Sequence, residues 1–203
     1  MQDELQRFEQ TLLANTQAFA VELSPETVAR LATFYSLLIR WNERLHLVAP
    51  CSPEEFATRH VLESLMLLKH LPQNAKIADV GSGGGLPIIP CLVARPDLEA
   101  TLIESSQKKA VFLREALNAV DRKATVIAKR FEEIKAPEVE FVSCRALDKF
   151  MNKLPALIQW SPRDATLLLF GGEALRDKLP QAKEFLLWGS EKRYLFVVHD
   201  KTD

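Results

Sequence analysis

The sequence predicts an α/β fold: a mostly parallel sheet with an antiparallel edge, flanked by helices and preceded by an N-terminal helical extension. Three observations carry this prediction. Five short apolar runs recur from residue 76 onward, most of them about 23–27 residues apart, with helical patterning between the second and third. Four of the seven glycines fall within residues 81–85, directly after the first of these runs. The first 70 residues hold no glycine and show apolar residues at three- and four-residue spacing.

In chain order, the extension comes first. Leu31, Phe34, Tyr35, Leu38, Trp41 and Leu45 form one apolar helix face. Ser24-Pro25 marks its start, a serine cap followed by a proline whose missing N–H is not needed there. Ser52-Pro53-Glu54-Glu55 is a capping box opening a second helix through His60 to about His70, before Pro72. The runs 77–80, 100–103, 125–128, 139–143 and 166–170 read as strands. Gln107 to Ala119 reads as the helix between the second and third, with Val111, Phe112, Ala116 and Leu117 facing inward. Such spacing favours βαβ crossovers and a sheet covered on both faces. The late runs 185–188 and 194–199, joined by Gly189 to Arg193, form an antiparallel hairpin closing one edge. The expected division is an extension over 1–72 and a core over 73–203, in one compact unit.

Composition narrows the class. An apolar fraction of 47% and a charged fraction of 26% exclude intrinsic disorder. Cys51, Cys91 and Cys144 lie far apart without C-x-x-C spacing, so neither a disulfide scaffold nor a cysteine-ligated metal is expected. The acidic start, Met1-Gln2-Asp3-Glu4, is unlike a signal peptide, and the apolar run Leu86 to Ala94 is too short to span a membrane. A cytoplasmic monomer with no membrane partner is the expectation. Net charge is −1, divided as −3 over residues 1–70 and +2 over 71–203, so any nucleic acid must be held by a local patch.

The chemistry concentrates in Asp79-Val80-Gly81-Ser82-Gly83-Gly84-Gly85-Leu86-Pro87. Glycine lets the chain turn tightly and lets backbone N–H groups approach a ligand. In open α/β sheets, ligands bind at this carboxyl end of the strands. A dinucleotide-binding loop needs G-x-G-x-x-G or A, and its third small position is Leu86 here. Asp79 would also repel a pyrophosphate, whereas the sulfonium and ammonium groups of S-adenosyl-L-methionine (SAM) suit it. D-x-G-x-G-x-G is the pattern of SAM-dependent methyltransferases. A nicotinamide-type ligand and a merely structural glycine turn are the alternatives. Glu104, at the end of the second strand, is placed to accept hydrogen bonds from both ribose hydroxyls. The alternative for it is a solvated strand end.

Further motifs point to a family. Arg59-His60-Val61-Leu62-Glu63-Ser64-Leu65 precedes the loop. Leu102-Ile103-Glu104-Ser105, Lys108-Lys109, Phe112-Leu113, Arg130-Phe131-Glu132 and Ser143-Cys144-Arg145-Ala146 follow it. In order and spacing these resemble the RsmG (GidB) family over roughly residues 30–170. The resemblance implies a class I SAM-dependent methyltransferase with a Rossmann-like sheet. It also implies methylation of a guanine N7 in a decoding-region loop of 16S rRNA, free or within the 30S subunit or an assembly intermediate. By the same resemblance Gly81 and Leu86 belong to the cofactor loop, and Phe131 and Glu132 contact the adenine. Arg145 lies where cofactor and substrate meet, and Arg59 and His60 lie at the pocket mouth. The chain departs from the family at Ile88, in place of a second glycine, at His46-Leu47-Val48, and at Phe170-Gly171. Ile88 is expected to narrow the start of the loop helix. The other departures are expected to remove groups that contact RNA.

Guanine N7 attacks a methyl group through an exposed lone pair and loses no proton. No general base is therefore expected, only in-line approach and exclusion of water. Arg145 is the candidate catalytic-site residue, positioning the base or a phosphate with its planar fork; the alternative is a salt bridge to Glu104 or Asp148. The candidate cofactor set is Asp79, Gly81, Gly83, Leu86, Glu104, Phe131, Glu132 and Arg145. Arg59, His60, Lys108, Lys109 and Arg130 are candidate RNA contacts, with Arg122, Lys123 and Lys129 on the same expected rim. His60 has structural alternatives, contact with Glu63 or a helix-surface role. Trp41, Trp160 and Trp188 are expected in the core, with base stacking as the alternative, and His46, His70 and His199 are expected to be structural. Two other functions compete: a small-molecule methyltransferase, and a SAM- and rRNA-binding protein with weakened catalysis.

Overall fold

A computed structural model describes residues 2–145 and 150–199. Helix α1 (Gln2–Phe19) leads to α2 (Pro25–Leu45), where Ser24 Oγ accepts the Thr27 N–H at 3.1 Å and Pro25 opens the helix. His46 ends α2 in the left-handed region, its N–H bonded to the Asn42 carbonyl. The segment expected as one helix after Ser52 is composite. A short α3 (Pro53–Glu55) runs into a π-helical segment (Phe56–Leu62), then α4 (Glu63–Leu65) and a 3₁₀ stretch (Met66–His70). Ser52 Oγ accepts the Glu55 N–H at 3.1 Å, but the Glu55 carboxylate pairs with Arg59.

The sheet comprises β1 (Lys76–Val80), β2 (Glu99–Ile103), β3 (Thr125–Ile127), β4 (Phe141–Arg145), β5 (Thr166–Gly172), β6 (Lys183–Leu186) and β7 (Arg193–Val198). Their order is β3-β2-β1-β4-β5-β7-β6. The first five strands pair in parallel, with Ile77 beside both Ala100 and Phe141, and Val142 beside Leu167. β7 runs antiparallel between β5 and β6. The expected hairpin is present, with its second strand inside and its first at the edge. β4 starts two residues later than its apolar run suggests. The Glu140 carboxylate accepts the Lys76 N–H, and its carbonyl accepts the Thr166 N–H, so Glu140 belongs to the edge of the ladder. Helices α5 (Ile88–Ala94), α6 (Gln107–Ala119), α7 (Phe150–Trp160) and α8 (Glu173–Arg176) complete the layers.

The N-terminal helices share one hydrophobic cluster with one sheet face. Phe8, Phe34 and Phe56 pack in continuity with Ile77, Leu102, Phe112 and Leu113. Phe8 stacks on Tyr35 at 4.6 Å and 3°, tying α1 to α2. A second cluster, including Val142, Leu157, Leu167 and Phe196, covers the other face. Two core expectations fail. Val111 is 47% exposed, because the buried stripe of α6 runs through Ala110, Leu113, Ala116 and Leu117 and Val111 lies off it. Trp188 is 46% exposed, one side resting on Phe19 at 5.1 Å. Trp41 and Trp160 are half-buried against Phe112 and Phe131. Among the described residues, no helix is long and apolar enough to cross a membrane.

Candidate functional site

The chain leaves β1 for β2 on one side of the sheet, and β4 lies on the other. At this switch point the loops diverge and open a crevice. A cleft of about 460 Å³ lies there, floored by Gly81, Ser82, Gly83 and Gly84 and flanked by Glu104 and Arg145. Gly81, Gly83 and Gly85 have φ of 74°, 49° and 77°, which β-carbons strain. They serve different ends. A Cβ on Gly85 would come 2.5 Å from Ile89 Cδ1, so Gly85 is required by packing. A Cβ on Gly83 would meet only the Gly81 carbonyl, at 3.7 Å, so the space beside it is open.

Glu104 anchors this loop. One carboxylate oxygen accepts the Gly83 N–H at 2.9 Å and the other the Ser106 N–H at 2.7 Å. The residue is 7% exposed, so the solvated strand end is excluded. Each oxygen keeps a lone pair for a further donor. Asp79 lies beneath the loop, 1% exposed and absent from the cleft wall. Ser143 Oγ donates to its Oδ1 at 2.7 Å, and its Oδ2 is buried with no partner among the described residues. Burial pushes this carboxyl up to about 7, against the Ser143 and Ser82 hydrogen bonds. The Glu104 carboxylate beside an open glycine loop disfavours a pyrophosphate. It fits a ligand bringing hydroxyl donors, and the residues present therefore fit SAM.

Arg145 ends β4 and lines the same cleft. Its Nη2 donates to the Arg59 carbonyl at 2.8 Å and to Glu63 Oε2 at 3.2 Å, and its Nη1 to Ser64 Oγ at 3.3 Å. The guanidinium lies 5.1 Å over the Phe170 ring. Burial lowers it to about 10, with Glu63 opposing. The ion pair is therefore with Glu63; Glu104 holds backbone amides, and Asp148 lies outside the described residues. Glu63 is 1% exposed and also receives Arg193 Nη1 at 2.8 Å. Burial pushes its carboxyl up, against the pull of Arg145 and Arg193.

Arg59 and His60 sit in the π-helical segment, whose widened turn is a feature often found at functional sites. His60 lines the cleft, while Arg59 points to a second cavity. The His60 ring packs on Phe56 at 5.2 Å, and its Nδ1 is buried with no partner among the described residues; both Glu63 oxygens are taken by arginines. Burial, then the charges of Arg145, Arg59 and Arg193, lowers His60 to about 3, so the imidazole is neutral.

The remaining candidates divide. Gly81, Gly83, Leu86 and Lys109 line the cleft. Lys108 faces a neighbouring groove between α2 and α6. Phe131 is buried against Trp160, and Glu132 pairs with Lys153 at 3.2 Å; neither lines the cleft. The chain just before them runs beside α6, where Gln107 Nε2 donates to the Ala128 carbonyl. Arg130 is surface-exposed near Glu133. Arg122 and Lys123 leave the expected rim. Both lie by the amino ends of β2 and β3, and Arg122 donates to the Leu92 and Val93 carbonyls at the end of α5.

The departures from the family pattern also resolve. Ile88 is fully buried in the core and does not line the cleft. Leu47 and Val48 form cleft wall, fixed by reciprocal bonds between the Asn42 amide and the Val48 backbone. Phe170 supplies the ring under Arg145. Sequence reasoning missed this wall, the Ser105-Ser106 rim and Arg193. Only the N-cap pattern at Ser106 carried a local signal.

A family model described as rRNA small subunit methyltransferase G (GidB) matches residues 27–201. The chain is 37% identical to the ribosomal RNA small subunit methyltransferase G of Gluconobacter oxydans, over 79% of this chain and 82% of that protein. It is 40% identical to the protein of the same name from Acidiphilium cryptum, over 71% of this chain and 65% of that protein. Among solved structures it resembles a SAM-dependent methyltransferase from Aquifex aeolicus, with a TM-score of 0.55 and 13% identity over 70% of this chain and 91% of that one. That likeness is one of fold, the class I methyltransferase sheet.

Proposed function

Because this chain belongs to the rRNA small subunit methyltransferase G (GidB) family, we propose that it transfers the methyl group of SAM to a guanine N7 of 16S rRNA. The observation that carries the reading is the juxtaposition at the switch point. A glycine loop held open by Glu104 lies on one side of the cleft, and on the other a largely buried arginine with two N–H donors unused among the described residues.

Bound SAM supplies an electrophilic methyl on a sulfonium. Glu104 takes the ribose hydroxyls with its spare lone pairs, and Gly81, Gly83 and Leu86 border the cofactor. Phe131 and Glu132, downstream of the Ala128 contact, serve the adenine end. Asp79, bonded to Ser143, supports the loop from beneath. Arg145 has five N–H donors, and three bonds go to Ser64, Arg59 and Glu63. Two donors therefore remain for the guanine O6 or a phosphate. Neutral His60 and the apolar Leu47-Val48 wall exclude water without taking a proton. Lys109 sits at the cleft mouth, and Lys108 and Arg130 flank it as RNA contacts. The protein works as a cytoplasmic monomer on rRNA, free or in the 30S subunit.

Transfer of labelled methyl from SAM is measured with 30S subunits, naked 16S rRNA and a metabolite pool. Label in the RNA supports the reading. Label only in metabolites makes this a small-molecule enzyme, and SAM and RNA binding without transfer makes it a binding protein.

A further inference from the structure

A second cavity adjoins the candidate cofactor cleft across a charged partition. It measures about 320 Å³ and is lined by Thr58, Arg59, Glu63, Trp188 and Arg193, among others. The partition is Arg145 together with the Arg59–Glu63 turn, because Arg145 bonds to the Arg59 carbonyl and to Glu63 while facing the cleft. Arg193 opens β7 opposite Gly172 at the end of β5, so this cavity shares the carboxyl end of the sheet with the cleft.

Its walls carry two guanidiniums, Arg59 and Arg193, and two carboxylates, Glu55 and Glu63; Arg145 in the partition adds a third guanidinium behind Glu63. Glu63 cannot turn to water, being 1% exposed, and it serves to hold two guanidiniums in place. Arg193 is fixed further by Ser190 Oγ, 3.2 Å from its Nε, yet its side chain stays 32% exposed. Arg59 stays 47% exposed. Trp188 stands at the rim, 46% exposed, and the next residue, Gly189, has φ +67° with open space where a Cβ would lie. Fixed guanidinium forks beside an open indole match a nucleotide strand, phosphate to arginine and base to ring. An acidic polypeptide would use the cations and leave the indole without a role.

We propose that this second cavity binds the RNA strand next to the target base, with Arg59 and Arg193 gripping a backbone phosphate and Trp188 stacking a neighbouring base. This rests on the rRNA-methyltransferase reading.

Binding of a stem–loop RNA transcribed from the 16S decoding region is measured across salt concentrations, with SAM affinity and thermal melting in parallel. Arg193→Gln and Arg59→Gln are each expected to weaken RNA about tenfold and to reduce the log–log salt slope by about 0.7, one phosphate contact on a single strand. Trp188→Ala is expected to weaken RNA about tenfold at an unchanged slope. SAM affinity should hold in all three. Arg59 pairs only with half-buried Glu55 and Trp188 stands at the rim, so these two variants keep the test usable if Arg193→Gln destabilises the Glu63 cluster. Unchanged slopes in both arginine variants, with wild-type protein binding RNA, overturn this inference alone. Wild-type protein that binds no RNA overturns the rRNA reading with it. Competition by polyaspartate equal to that by RNA, with no effect of Trp188→Ala, assigns the cavity to an acidic polypeptide and overturns the inference too.

Discussion

Glu104→Gln separates two tasks that the wild-type carboxylate performs at once. The side chain now bonds two backbone amides, Gly83 N–H at 2.9 Å and Ser106 N–H at 2.7 Å. Glutamine offers one oxygen and turns an NH₂ toward the other amide, so one charge-assisted bond becomes a donor facing a donor. Such a bond contributes about 1.5–3 kcal/mol. At roughly 2–4 °C per kcal/mol for a chain of this size, melting should fall by roughly 3–12 °C. The ribose hydroxyls lose a charged acceptor as well, so SAM should bind at least tenfold more weakly, about 1.4 kcal/mol or more. Calorimetry with SAM and with an analogue lacking the ribose hydroxyls distinguishes ribose recognition from loosening of the loop. Wild-type protein should discriminate against the analogue, and the glutamine variant should discriminate far less. An unchanged melting temperature refutes the loop anchor. Undiminished discrimination by the variant refutes the ribose role.

Other perturbations test neighbouring claims. Gly83→Val should abolish SAM binding, because φ of 49° strains a β-branched residue and its side chain enters open space beside the loop; Gly85→Ala should instead lower melting, its Cβ meeting Ile89. Tight SAM binding by the valine variant would misplace the cofactor. Arg145→Ala and Arg145→Lys should both lower kcat/KM for RNA ten- to hundredfold, about 1–3 kcal/mol, with SAM affinity little changed. Rescue by lysine would mean that charge alone suffices. Asp79, raised to about 7, binds a proton in the folded state that the unfolded chain has released above its ordinary carboxylate range. It therefore removes stability as pH rises from about 4 to about 7, and Asp79→Asn should flatten that fall. His60, lowered to about 3, acts in the opposite sense. Its contribution is full above about 6.5 and is lost as pH falls toward 3, so His60→Gln should flatten the acid limb of the melting curve. Unchanged pH profiles in both variants would contradict the burial assigned to these groups.

What the sequence revealed follows from the range of the forces involved. Helix starts at Ser24 and Ser52 are local hydrogen-bond patterns and are legible in the sequence. The glycine loop and Glu104 were legible because a strand followed by glycines fixes a position in any such sheet. The π-helical turn was not, since the apolar spacing around Phe56–Leu62 is that of an ordinary helix. Val111, expected to face inward, is turned away from the buried stripe of α6 by the 3.6-residue spacing. The Glu63–Arg193 pair joins residues 130 apart and leaves no trace in either local sequence. Trp188, expected in the core, stands 46% exposed beside the turn that follows the edge strand, a place its residue type does not reveal.

The most direct test of the central claim is the identity of the methylated atom. Purified protein, SAM and either 30S subunits or naked 16S rRNA are incubated, and the RNA is cleaved by borohydride and aniline at N7-methylated guanines. A single new cleavage in a decoding-region loop is predicted, appearing about ten- to hundredfold more slowly with Arg145→Ala than with wild-type protein. The reaction rate should stay flat from neutral to mildly alkaline pH, since N7 attacks without losing a proton. Methyl incorporation without cleavage, accompanied by a rate that climbs through a pKa near 7, would place the methyl on an oxygen or exocyclic nitrogen and contradict the account.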